Sequence, residues 1–63
     1  MTKAYAEHKA ALIAKDHNHY RKVGYTAAVK DYRTALDNLC YVAKRAGIEI
    51  AYTVSKTGYI TIR

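Results

Sequence analysis

The sequence predicts an α+β fold, two antiparallel helices followed by a C-terminal β-hairpin, in the order α-α-β-β. Three observations carry this expectation. Apolar residues recur with a four-three spacing along two long segments, and each segment closes on a glycine shortly after a basic pair. After Gly47 the apolar period switches from 3.6 to 2. Within that alternating stretch, Lys56, Thr57 and Gly58 have the chemistry of a three-residue hairpin loop.

The first helix is expected over residues 2–22, where good helix formers dominate and Gly24 follows Arg21 and Lys22. Its apolar seam is Ala6, Ala10, Ile13, His17 and Tyr20, widened by Tyr5 and Leu12. Lys9 and Asp16 fall within the same arc, placed to pair with each other, with a second subunit or with a partner. Asp16 to His19 are poor helix formers, so a break or frayed end is expected there.

The second helix is expected over residues 26–46, with Thr26 as its N-cap and Gly47 closing it after Lys44 and Arg45. Tyr25, Val29, Tyr32, Leu36, Leu39, Ala43 and Ala46 form its core stripe, with Ala28, Ala35 and Val42 beside it. Alanines on both helices let the two pack closely as an antiparallel pair.

Strands are expected over 48–54 and 59–63. Ile48, Ile50, Tyr52 and Val54 share one face, and a left-handed Gly58 pairs Ser55 with Tyr59. The register then sets Val54 opposite Ile60, Thr53 opposite Thr61 and Tyr52 opposite Ile62. No linker or repeat divides the chain, so residues 1–63 read as one domain.

The 63 residues carry a net charge of +6, divided as +3 over residues 1–24, +2 over 25–47 and +1 over 48–63. Because the excess is spread along folded segments, a basic surface facing nucleic acid or an acidic protein is expected rather than a basic tail. The single cysteine, Cys40, excludes an internal disulfide. With no apolar run of membrane-spanning length and no signal-peptide pattern from Met1 to Lys15, a cytoplasmic protein is the expectation.

Catalytic chemistry leaves no mark: there is no phosphate-cradling glycine loop, no glycine-flanked serine and no paired carboxylates. The expectation is a non-enzymatic binding protein without a cofactor. His17 and His19 lie about 200° apart on a helix, while His8 and His19 share a face about 16 Å apart, so no metal site is expected from these three. Cys40 reads as a small apolar residue flanking the core stripe.

Binding residues are expected in two places. Lys30, Arg33, Tyr41 and Lys44 fall within an arc of about 80° on the second helix, with Arg45 just beyond and Asp37 inside the arc, one turn from Arg33 and placed to pair with it. Lysine and arginine there suit phosphate oxygens, and a tyrosine suits base stacking. The second place is the hairpin's outer edge, Tyr59, Ile60, Thr61, Ile62 and Arg63, offered either to a second copy in a shared-sheet homodimer or to a strand of another protein.

A helix followed by a hairpin resembles, in arrangement and not in motif, the second half of a winged helix-turn-helix domain. That resemblance implies the second helix as reader and Lys56 on the wing. It also implies a third helix, which a break near Asp16 to Asn18 would supply. Two functions follow: a nucleic-acid-associated protein, or a small bacterial or phage-type regulator or inhibitor that docks on an acidic surface or sheet edge of another protein.

Overall fold

The structure is a computed structural model and describes all 63 residues. Helix α1 spans Lys3–Val23 and α2 spans Thr26–Arg45; strands β1 (Tyr52–Val54) and β2 (Ile60–Ile62) form an antiparallel hairpin. The α-α-β-β order and the hairpin register both match the expectation: Tyr52 faces Ile62, Thr53 faces Thr61 and Val54 faces Ile60.

Helix ends follow the local chemistry, with one shift. Thr2 caps α1, its hydroxyl accepting from the Tyr5 N–H at 3.1 Å. Gly24 ends α1 at φ +80°, and the Tyr25 N–H closes the turn on the Tyr20 carbonyl at 2.9 Å. Because the Tyr25 carbonyl already accepts from the Val29 N–H, Tyr25 is the N-cap of α2, and Thr26 lies inside the helix without a capping bond. At the other end Gly47 adopts φ +79°, and the Ile48 N–H donates to the Ala43 carbonyl.

The expected break near Asp16 to His19 is absent; α1 runs through it unbroken. Poor intrinsic propensity is overridden because the side chains at this point are used in packing. His17 is buried in the seam, and Asn18 reaches the hairpin. No third helix is formed, and the winged helix-turn-helix resemblance loses its first element.

Strand β1 ends at Val54 as expected but begins four residues later, and β2 is shorter by Tyr59 and Arg63. With the Arg63 N–H donating to the Ala51 carbonyl, no residue of the 63 lies opposite Ile48 to Ile50, and this segment is unpaired. Near the loop, Ser55 and Tyr59 are bridged by the Ser55 N–H to the Tyr59 carbonyl, and Gly58 turns at φ +88° as the loop requires.

The hairpin lies against one side of the helix pair, with β2 on α1. The central core is Ala10, Ile13 and Ala14 of α1, Leu36 of α2 and Ile60 of β2. Only 8 of the 63 residues are buried, so each one carries a large share of the stability. A tyrosine stack covers the end where α1 turns into α2: Tyr20 lies parallel to Tyr32 at 5.6 Å and touches Tyr25 at 5.9 Å. Two layers cover only one side of the helices, so Tyr5 and Leu12, expected to widen the seam, stay exposed, as do Tyr25 and Val42.

Candidate nucleic-acid interface

Residues opposite each other in an antiparallel hairpin alternate between hydrogen-bonded and non-bonded pairs. Because Ser55–Tyr59 and Ala51–Arg63 are bonded pairs, Ile60 and Ile62 turn their backbone groups away from β1. At Ile60 both outward groups are taken. The Asn18 side chain donates from Nδ2 to the Ile60 carbonyl and accepts at Oδ1 from the Ile60 N–H, each at 2.8 Å. An amide carries one donor end and one acceptor end, so it replaces the neighbouring strand that the edge lacks.

This arrangement also sets the buried imidazole. Asn18 Oδ1 is an acceptor toward Ile60, so His17 Nδ1, 3.1 Å from that oxygen, is the donor. His17 is therefore part of the core network. His8 is exposed, and His19 is exposed with its ring edge-on to Tyr20 at 5.2 Å. No three His, Cys, Asp or Glu side chains come close enough to hold an ion.

The edge expected to be open at Tyr59 to Arg63 is thus closed at its centre, where Ile60 is also buried. Arg21 holds the adjoining loop: its Nε donates to the Thr57 carbonyl and its guanidinium lies 5.8 Å from the Tyr59 ring centre. Thr61 and Arg63 are exposed side chains whose backbones face β1, which leaves Ile62 as the one outward residue of β2 without a partner.

The unpaired edge is instead that of β1. It has β2 on one side and no hydrogen-bonded element on the other. Facing this edge is α2. The Arg33 guanidinium lies 5.7 Å from the Tyr52 ring centre, and a groove of about 480 Å³ is lined by Cys40, Lys44, Gly47, Ile48, Glu49 and Ile50. Lys44 of α2 and the segment leading into β1 therefore border one groove, which also carries Glu49.

Around it, the expected basic residues differ in availability. Lys30 and Lys44 are exposed. Arg33 is half-buried against Tyr52, with Asp37 Oδ1 3.6 Å from its Nε, an ion pair too long to be a hydrogen bond. Arg45 lies over the Tyr41 ring at 5.8 Å and donates to its hydroxyl at 3.4 Å, leaving a guanidinium-on-aromatic pair in solvent. Lys56 is exposed in the hairpin loop held by Arg21, where α1 ends and α2 begins. Lys30 is nearer that end of α2, and Lys44 is about 21 Å further along the helix.

Cys40, partly buried, lines the groove. Burial pushes its thiol above the usual range, Asp37 adds to the rise and Arg33 opposes it. A raised value means less thiolate at neutral pH. Alkylation of Cys40 by iodoacetamide at about pH 7.5 is therefore expected to run several-fold slower in the folded chain than in urea. Equal rates would contradict this reading of the groove.

No family model matches the chain, and no similar protein was found among the curated proteins or the solved structures. The structure is a two-layer α-α-β-β fold whose β2 edge is closed at Ile60, whose β1 edge is open, and whose second helix has a cationic flank. No helix is long and apolar enough to cross a membrane.

Proposed function

We propose that the protein is a non-enzymatic nucleic-acid-binding protein that engages phosphates through the exposed face of α2 and the groove beside β1. The observation that supports this most is the near absence of internal neutralisation. Of eleven Lys and Arg side chains, only Arg33 has an acidic partner within 4 Å. Free lysines and arginines on one helix flank condense onto phosphates and release counterions, which makes affinity fall with salt. Tyr41, 63% exposed beneath the Arg45 guanidinium, suits stacking with an unpaired base.

Titration against random duplex and single-stranded DNA and RNA at two salt concentrations tests the proposal. Binding that weakens steeply with salt is expected, and no binding at low salt would end it. Lys30→Ala, Lys44→Ala and Arg45→Ala should each reduce the salt slope by about one. Arg33→Ala should reduce it by less, because Asp37 already offsets part of its charge.

A second reading rests on the open β1 edge: a regulator that accepts a strand of another protein beside Tyr52 and Val54. It predicts salt-insensitive capture of a protein partner that survives nuclease treatment. Steep salt dependence and loss on nuclease treatment favour the nucleic-acid reading.

A further inference from the structure

Helix α1 carries a second four-three stripe that neither α2 nor the hairpin covers: Tyr5, Lys9, Leu12, Asp16 and His19. All five are exposed, Tyr5 at 53% and Leu12 at 45%. The stripe lies on the side of the helix pair away from the sheet. Lys9 is about 180° around α1 from Asn18, which grips β2, and Val42 is about 180° around α2 from Arg33, which lies on Tyr52. Val42, 51% exposed, thus adds a second apolar residue from α2 to the same face.

Two charges interrupt the stripe, and their placement is self-complementary. Lys9 and Asp16 have no ion-pair partner within their own chain. They stand on either side of Leu12, three residues before it and four after it. A two-fold axis crossing α1 beside Leu12 sets Leu12 against Leu12, brings each Lys9 to the other copy's Asp16, and aligns Tyr5 with His19. The parallel alternative sets Lys9 against Lys9 and Asp16 against Asp16, so charge selects the antiparallel pairing.

We infer that this face is the contact between two copies of the chain, an antiparallel α1–α1 dimer with Val42 at its margin. A two-fold contact uses one patch twice, which is what a stripe complementary to its own reverse provides. The dimer leaves both α2–β1 grooves open. It replaces the shared-sheet dimer expected from sequence, whose β2 edge Asn18 closes. It stands or falls independently of the ligand that the groove takes.

Sedimentation equilibrium of the full chain from about 10 μM to about 1 mM tests the inference, with charge swaps as the decisive arm. The parent chain should approach twice its 7.1 kDa mass. Lys9→Asp or Asp16→Lys alone should weaken dimerisation at least tenfold, because symmetry repeats each change twice, and Lys9→Asp with Asp16→Lys should restore it to within about threefold. Leu12→Glu, at a position exposed in the single chain, should leave helical circular dichroism intact and abolish the dimer. A parent chain that stays monomeric, single swaps without effect, or a double swap that fails to rescue overturns the inference.

Discussion

Replacing Leu36 with alanine is expected to remove about half or more of the protein's stability. Leu36 is the one large side chain that is completely buried, and it meets Ile13 and Ala10 of α1 and Ile60 of β2 in the central cluster. Removing a leucine from such a site costs about 2–5 kcal/mol in lost burial and cavity formation. A chain of this length has a total stability of roughly 3–9 kcal/mol. The alanines surrounding Leu36 have no side-chain freedom with which to fill the space, so the upper part of the cost range applies. Far-ultraviolet circular dichroism should show most of the helix signal lost at 25 °C, or a melting temperature lowered by more than about 15 °C. A decrease of only a few degrees would place the core elsewhere.

Asn18→Ala ranks second and acts differently. It removes two hydrogen bonds and leaves the N–H and C=O of buried Ile60 without partners, at about 1–3 kcal/mol for each group. Alanine is the better helix former, which offsets about half a kcal/mol. The net loss is about 1.5–5.5 kcal/mol, lowering the melting temperature by at least about 6 °C. The change also opens the β2 edge, so the variant should aggregate more readily than the parent. Hydrogen exchange localises the effect: the Ile60 amide, bonded to Asn18 Oδ1, should be protected in the parent and exchange much faster in the variant. Unchanged protection at Ile60 would mean that Asn18 does not hold that edge.

The two helices, the two glycine closures and the hairpin register were legible in the sequence because each is encoded locally. Periodicity reports which face is apolar, and Gly58 sets the register through its own backbone conformation. Occupancy of the strand edge was not legible. Asn18 and Ile60 are 42 residues apart, and an asparagine among poor helix formers reads as a break when no partner is in view. The signal in hindsight is an amide on the face of α1 that the hairpin must cross.

Apolar arcs posed a similar problem. Tyr5 and Leu12 extend the pattern of α1, but a pattern does not state how much surface a two-layer fold can cover, and here the helices have nothing on their far side. The basic residues of α2 were legible as a strip. The Asp37 partner of Arg33, one turn away, was legible too; the Tyr52 and Tyr41 rings that engage Arg33 and Arg45 were not, the first because it comes from the hairpin.

The most direct test of the account is an amide chemical-shift map of the labelled protein titrated with a short single-stranded oligonucleotide and with its duplex. Binding through the α2–β1 groove predicts the largest changes at Lys30, Tyr41, Lys44, Arg45 and Ile48 to Tyr52, with Tyr5, Leu12 and Ile60 unmoved. Changes concentrated on α1 or at β2, or no changes at low salt with either ligand, would contradict it.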